Sequence, residues 1–309
     1  MKSKRILVTG GAGFIGSHLV DELIQRSYEV VVIDNLSTGK KKNLNKKAKF
    51  FKFNICNPKL SQIFKKEKIG VVFHYAAQID VRKSVEDPVG DANLNILGTL
   101  NILENCKKYK VKKIILASTG GAIYGDAKII PTPEDYPEWP LSPYGIEKLA
   151  LEKYLNYYQK VFNLPFVALR LANVYGPRQN SKGEAGVVAI FCDKMLGKKK
   201  AVINGSGRQT RDFVFVDDVI EANILALKKN KTGIFNIGTA KETNINTIFR
   251  KLKKLTGSVC KEIHGPAQPG EQKRSCLDYS KAKKELGWKP RYNLDKGLKL
   301  TVDWFKVNF

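Results

Sequence analysis

Tyr144 and Lys148 lie four residues apart in Leu141-Ser-Pro-Tyr-Gly-Ile-Glu-Lys148, where a helical pattern begins. Positions i and i+4 share one helix face, so the phenol and the ammonium can point the same way. A free phenol titrates near about 10 and is a poor base at neutral pH. A neighbouring ammonium favours the phenolate, and each unit of lowering is worth about 1.4 kcal/mol. The pair could move a proton to and from a hydroxyl. Tyrosine and lysine are also common on solvated helix faces, so the spacing alone leaves both readings open.

A second constellation sits near the start. Arg5-Ile-Leu-Val-Thr9 is a short β-branched run, followed by Gly10-Gly-Ala-Gly-Phe-Ile-Gly16 and a helical pattern over 17–25. A glycine turn between a strand and a helix is the context that makes such a motif informative. Gly10 permits the tight turn, Gly13 lets a pyrophosphate approach the backbone, and Gly16 allows close helix–strand packing. The helix N-terminus then faces the phosphates. The next apolar run, Glu29 to Ile33, ends in Asp34, a carboxylate suited to a ribose 2′-hydroxyl and repellent to a 2′-phosphate. NAD is expected rather than NADP.

The elements that must position these groups alternate. Residues 49–54 read as a third strand, 60–66 as a helix and 70–74 as a fourth strand. Tyr75-Ala76-Ala77-Gln78 follows, with small residues that let the backbone pass beneath a cofactor. Pro88 opens a long amphipathic helix through Lys108 that carries Asn95. Residues 112–117 form a fifth buried strand leading into Ser118-Thr119-Gly-Gly-Ala-Ile-Tyr124, and 164–170 a sixth. Such alternation predicts an α/β, Rossmann-type doubly wound parallel sheet with ligands at the carboxyl ends of the strands. Gly10, Asp34, Asn54, Tyr75 and Thr119 would all lie along that edge. Residues 294–309 read as a closing amphipathic helix.

Composition bounds the rest. A chain of 309 residues, 43% hydrophobic, can bury a large core in one or two domains. No apolar run reaches membrane-spanning length, and the opening Met1-Lys-Ser-Lys-Arg5 leads straight into a strand, so a cytoplasmic protein without membrane partners is expected. Five scattered cysteines and three isolated histidines predict reduced thiols, packed histidines at His18 and His74, and no metal site. The net charge of +25 raises the question of nucleic acid. The lysines fall in many small groups without interleaved aromatics, so a generally basic, solvated surface is expected and no nucleic-acid partner.

With these pieces assembled the chain resembles the extended short-chain dehydrogenase/reductases of the NAD-dependent epimerase/dehydratase family. The likeness spans essentially the whole chain. It rests on G-G-A-G-F-I-G, D-N-L at Asp34, H-x-A-A-Q, N-x-x-G-T at Asn95, S-P-Y-G-x-x-K and R-x-A-N-V-Y-G-P-R from Arg170 to Arg178. Within the group it most resembles the compact UDP-glucose 4-epimerases, which share S-T-G-G-A-I-Y-G and G-E-A-G-V-V-A-I-F. The resemblance implies NAD contacts from Phe14, Ile15, Asn35, Leu36, Ser37, Thr38, Gly39, Ile55, Asn95 and Ala172, besides Tyr144 and Lys148. It implies an NAD-binding domain over 1–172 with a return segment about 211–240, and a smaller C-terminal α/β UDP-sugar region over 173–210 and 241–309. A homodimer through the helices beginning near Pro88 and Ser142 is also implied.

For the substrate, the resemblance assigns Asn173 to the diphosphate-sugar, Val187 and Val188 to the flanks of the nucleotide, and Val202 and Ile203 to the uracil. Arg211 matches the family's pyrophosphate arginine, a role that suits the guanidinium fork, while a surface salt bridge is its plainer reading. The family usually has an arginine where Gln268 stands, so phosphate binding would shift to Lys273 or Arg274, and Glu271 belongs to the same segment. Ser275 matches the position that walls off the sugar 2-substituent; a tyrosine there would exclude N-acetyl, and a serine leaves room.

Two departures bear on mechanism. Related 4,6-dehydratases carry an Asp-Glu pair just after the Ser/Thr, where this chain has Gly120 and Gly121, so dehydration is disfavoured. In longer epimerases the catalytic Ser/Thr lies four places before the tyrosine matching Tyr124. Here that slot is Gly120, and Thr119 is one place early; a bulge at Gly-Gly would restore Thr119. The implied activity is UDP-glucose/UDP-galactose 4-epimerisation, extending to the N-acetylhexosamine pair, by transient oxidation at C4 with bound NAD. Tyr144 would take the proton of the 4-hydroxyl and Thr119 would hydrogen-bond its oxygen. A UDP-glucuronate enzyme would need a cation for the carboxylate, for which Arg82 is the candidate. Scaffolds that keep the fold without chemistry typically lose the Tyr/Lys pair, and this chain keeps both.

Overall fold

The sheet that organises the chain is laid down by short apolar runs, each ending where a glycine or a polar residue takes over. A computed structural model of the protein describes residues 5–182, 186–267 and 272–308. Its strands are β1 (Arg5–Thr9), β2 (Val30–Asp34), β3 (Lys49–Lys52), β4 (Ile69–His74), β5 (Lys113–Thr119), β6 (Phe166–Leu171), β7 (Asn173–Tyr175), β8 (Val202–Asn204), β9 (Thr210–Phe215), β10 (Gly233–Ile237), β11 (Glu242–Asn244), β12 (Ile263–Gly265) and β13 (Arg274–Ser275). Seven of them form a parallel sheet in the order β10-β6-β5-β4-β1-β2-β3. Its strand sequence turns back at the β1/β4 pair, and in such sheets the carboxyl ends at the turning point form the binding crevice.

The chain divides into two compact units. One runs to Thr119 and includes Ser142–Arg170 and Ile220–Phe235; the other comprises Gly120–Leu141, Leu171–Val219 and the chain from Asn236 onward. The first unit holds most of the parallel sheet. β1 and β2 are buried almost throughout because helices cover both faces, which explains runs such as Val30-Val-Val-Ile33. Leu7, Val31, Phe64, Val72, Ile102, Ile114 and Leu155 belong to one core cluster beneath the sheet. The second unit has β9 at its centre, antiparallel to β11 and parallel to β7 and β13, with a separate β8–β12 pair. Helices Val187–Leu196, Ile245–Thr256 and Leu294–Asn308 pack together beside these strands.

The expected long helix from Pro88 to Lys108 is helical throughout but not uniform. An α-turn over Pro88–Ala92 passes into a π-helical turn over Asn93–Leu97 before Gly98–Lys108 resumes α geometry. π-turns are rare and recur at functional positions; here the turn carries Asn95. No bulge forms at Gly120-Gly121. β5 runs to Thr119, and Gly120–Ile123 is a helical turn. A Cβ at Gly120 would overlap the Leu277 side chain, so the slot that holds a hydroxyl in longer epimerases is sterically closed to one without repacking. Among the described residues no helix is long and apolar enough to cross a membrane.

Candidate active site

Gly10 ends β1 with φ +70, and a Cβ there would lie 2.7 Å from Tyr75 C and Ala76 N. The turn therefore needs glycine both for its backbone and for the segment leaving β4. Helix Phe14–Gln25 follows with Gly13 as its N-cap, no side-chain cap and no acid in its first turn. That leaves its N-terminus available to an anion. A Cβ on Gly13 would meet only Gly10 O, at 3.1 Å, so the space outside is open. Asp34 closes β2, buried, with Oδ2 accepting from Ala12 N at 3.0 Å and Oδ1 from Leu36 N at 2.8 Å. Two backbone donors fix the orientation of the carboxylate, with lone pairs left for a diol. Leu36 takes φ +63, a conformation non-glycine residues adopt only when their surroundings impose it. Asn35 Oδ1 accepts from Ser37 N at 3.0 Å, Ser37 and Thr38 are exposed, and Gly39 lies so close to Asp34 that a Cβ would sit 2.9 Å from both carboxylate oxygens. An open helix N-terminus and an acid at the end of β2 together fit the adenosine diphosphate half of NAD.

Further along the same edge, Asn54 Oδ1 accepts from Cys56 N at 2.9 Å, and Ile55 is buried in the core. Tyr75 and Ala76 place their N–H groups on Thr9 Oγ1, each at 3.2 Å, and Ala77 continues the same unstructured exit from β4. Gln78 N donates to Asn95 Oδ1 at 2.8 Å, and Asn95 Nδ2 returns a bond to Gln78 O at 3.0 Å. His74 is the packed histidine its apolar context suggests. It lies between the hydroxyls of Thr9 (2.7 Å) and Thr99 (2.9 Å), and burial holds it neutral, down at about 3.

Helix Pro143–Phe162 begins as Ser-Pro dictates. Ser142 Oγ accepts from Gly145 N at 3.2 Å, and Pro143 takes the first turn, where a missing N–H costs nothing. Tyr144 N donates to Ser84 Oγ at 3.2 Å, tying the helix start to Val81–Glu86. One turn on, Lys148 is buried. Its Nζ donates to Ala117 O in β5 at 2.9 Å and stands 5.8 Å from the centre of the Tyr144 ring. Burial lowers the ammonium to about 8, while Glu147, Asp91 and Glu152 pull the other way. Of the two hydroxyls closing β5, Ser118 is spent inward on Glu152 Oε1 at 2.5 Å, while Thr119 is only half-buried. The alternation of the strand thus presents Thr119 rather than Ser118.

The second unit carries the expected nucleotide-sugar residues. Asn173 pairs with Phe213, and Ser275 pairs with Arg211, so β9 gathers all three segments on one small sheet. Arg211 Nη1 donates to Thr210 O at 2.9 Å, and Ser275 is buried. Val202 is 44% exposed and Ile203 fully buried; on helix Val187–Leu196, Val187 is half-buried and Val188 sits in the core. Arg274 is drawn to Glu242 by bonds of 2.9 and 2.5 Å. Ala172 N donates to Ile237 O at 3.0 Å, and Arg82 is exposed in the first turn of its helix. Gln268 and Glu271 lie outside the described residues. Asp91, Glu147, Glu152 and Ser118 carried no signal in the sequence for the places they take; Lys148 and Glu152 prove to share the buried face of their helix.

The NAD dependent epimerase/dehydratase family matches residues 6–238. A UDP-glucose 4-epimerase of Mycolicibacterium smegmatis is 41% identical across 98% of both chains. The crystal structure of a Thermotoga maritima UDP-glucose 4-epimerase with UDP-glucose is 49% identical, with TM-score 0.97 over 98% of this chain and 99% of that one. A Thermus thermophilus UDP-glucose 4-epimerase in complex with NAD is 42% identical, with TM-score 0.94 over the same shares. With the glycine turn, the acid closing β2 and the Tyr144–Lys148 pair all in position, this chain belongs to the NAD-dependent epimerase/dehydratase family.

Proposed function

We propose that the protein is a UDP-hexose 4-epimerase that interconverts UDP-glucose and UDP-galactose, working in the cytoplasm. The observation that carries this reading is the buried Lys148 ammonium, 5.8 Å from the Tyr144 ring and bonded to Ala117 O of β5, the strand that ends in the half-buried Thr119. Gly10, Gly13 and Asp34 would hold the adenosine diphosphate of NAD, with Gln78, Asn95 and Lys148 further along. When bound, NAD takes a hydride from a carbinol carbon and can return it to either face.

The chain's own residues handle the proton. Lys148 keeps a positive charge beside the phenol, because its lowered value of about 8 still leaves it protonated at neutral pH. Bringing a phenol from about 10 to about 7 needs roughly 4 kcal/mol, which a buried ammonium and a cationic ring together can supply. Tyr144 accepts the proton of the sugar 4-hydroxyl as that carbon is oxidised, and gives it back when the ketone is reduced from the opposite side. Thr119 donates to the 4-oxygen. No carboxylate follows Thr119 to eliminate water, since Gly120 and Gly121 form the next turn. Asn173 and Arg211, on neighbouring strands of the β9 sheet, hold the diphosphate. Arg274 would have to leave Glu242 to help.

Incubation with UDP-glucose, UDP-galactose, their N-acetyl counterparts and UDP-glucuronate, followed by separation of products, tests the reading. Interconversion of the first pair without net NADH is expected; turnover of UDP-glucuronate alone would move the assignment to that acid, with Arg82 as the residue to examine. The small side chain of Ser275, at the position that walls off the sugar 2-substituent, supports acceptance of N-acetyl sugars as well. Ser275→Tyr should cut N-acetylhexosamine turnover by about tenfold or more relative to the plain hexoses, since a filled pocket discriminates at roughly that level. An unchanged ratio rejects this role.

A homodimer completes the proposal. Val85, Val89 and Leu97 are exposed on the segment Val81–Leu97, as are Ile146, Tyr154, Tyr157 and Val161 along helix Pro143–Phe162, which packs beside it. Exposed apolar side chains gathered on neighbouring helices suit an interface. Sedimentation should find two chains in the wild type and one in a Val89→Glu, Tyr157→Glu double variant; a wild type that sediments as a single chain removes the proposal.

A further inference from the structure

Asp91 and Glu147 are each 4% exposed, and the mechanism uses neither. They come from different helices and meet at one amide. Asn95 Nδ2 donates to Asp91 Oδ1 at 3.1 Å, to Glu147 Oε2 at 2.8 Å and to Gln78 O at 3.0 Å, which exhausts its two N–H bonds. Gln78 Nε2 adds a bond to Asp91 Oδ1 at 2.9 Å. The other oxygen, Asp91 Oδ2, is buried without a hydrogen-bond partner, and the Glu147 carboxyl lies within hydrogen-bonding reach of Asp91. Two ionised carboxylates this close repel, and a buried acceptor without a donor is costly; one proton between them removes both penalties.

We propose that Asp91 and Glu147 hold one proton between them near neutral pH, and that this pair sets the charge felt by Lys148, making Glu147 a positioning residue for the Tyr144–Lys148 pair. The catalytic half rests on the roles proposed above for Tyr144 and Lys148; the proton sharing does not. Burial, with the help of Asp91, pushes the Glu147 carboxyl up to about 7 against the pull of Asn95 and Lys148. The surrounding charges are few. Tyr144, Lys148 and Glu152 stand on the same helix, and Glu152 is matched by Arg170 of β6. His74 of β4 is neutral, and the Asp80 carboxylate caps helix Val81–Glu86. While the proton is shared, Lys148 faces one negative charge from the pair. Once it leaves, Lys148 faces two, and its ammonium is held to higher pH.

Glu147→Gln copies the protonated acid, since its amide oxygen can accept from Asn95 and its nitrogen can donate to Asp91 Oδ2. Thermal melts from pH 5 to 9 read the shared proton without any turnover. An acid whose folded value lies above its unfolded value of 4.5 contributes stability that is complete at low pH and lost as pH rises through about 7. The wild type should therefore fall steadily in Tm relative to Glu147→Gln between pH 5 and 8. Asp91→Asn should remove the same pH dependence from the other side. Parallel curves for wild type and both variants overturn the shared proton.

The pH profile of kcat reads the second half. Loss of the Glu147 charge should move the alkaline limb about one unit lower, the size expected for one nearby charge, with KM changed less than about twofold. An unmoved limb beside altered melts overturns the positioning role and leaves the epimerase reading intact. A wild type without turnover overturns that reading and the positioning role with it, and the melts still decide on the proton.

Discussion

Tyr144→Phe is expected to lower sugar interconversion by about 10³-fold, within the range that a positioned acid–base group supplies. The substitution removes only the phenolic oxygen. The ring stays over the first helical turn, its approach to Lys148 Nζ at 5.8 Å is unaffected, and the backbone bond from residue 144 to Ser84 Oγ is retained. Folding and NAD content should therefore match the wild type, and the loss should fall on kcat rather than KM, since the proton moves only during oxidation and reduction. Turnover of UDP-galactose, measured beside the absorbance of bound NAD, checks both. Activity within about tenfold of wild type would mean that another group takes the proton, and Thr119 would be the next residue to replace.

Glu152→Ala should have the largest effect on stability. Arg170 and Glu152 have no exposed side-chain surface, and they meet through Nη2–Oε2 at 2.6 Å and Nε–Oε1 at 3.0 Å. Glu152 Oε1 also accepts from Ser118 at 2.5 Å. Removing the carboxylate takes its charge partner from a guanidinium with no exposed side-chain surface, and breaking one side of a buried pair costs about 3–5 kcal/mol. Against a total stability of about 5–15 kcal/mol, that is a large share. Denaturant midpoints should drop accordingly, and Glu152→Gln, which keeps a hydrogen-bonding group but not the charge, should fall in between. A loss under about 1 kcal/mol would show that other contacts of Arg170 satisfy it unaided.

The two variants separate what was legible in the chain from what was not. Tyr144 and Lys148 were visible because a helix turns once in about four residues and Ser-Pro announces its start. Gly10 and Asp34 were visible because a left-handed turn after a strand requires glycine, and because an acid closing the next strand falls on the same sheet edge. Glu152 and Arg170 were not, since nothing local says that a glutamate on a helix and an arginine on a later strand will be buried against each other. The same holds for Asn95, whose reach to Asp91, Glu147 and Gln78 depends on a π-turn that no propensity in Asn93–Leu97 announces.

At the strand ends the difference narrows to one residue. Alternation says that only one of Val202 and Ile203 can face out, and the packing of β8 decides that it is Val202, with Ile203 buried. Likewise β5 must turn one of Ser118 and Thr119 inward, and Glu152 claims Ser118. The parallel sheet, the dinucleotide and the spacing that sets Tyr144 and Lys148 on one helix face could be read along the chain, because backbone sterics and short-range periodicity act on neighbours. Which hydroxyl is presented, where Arg274 is held and which carboxylates stand behind Lys148 follow from the fold, because burial and charge pairing act between residues distant along the chain.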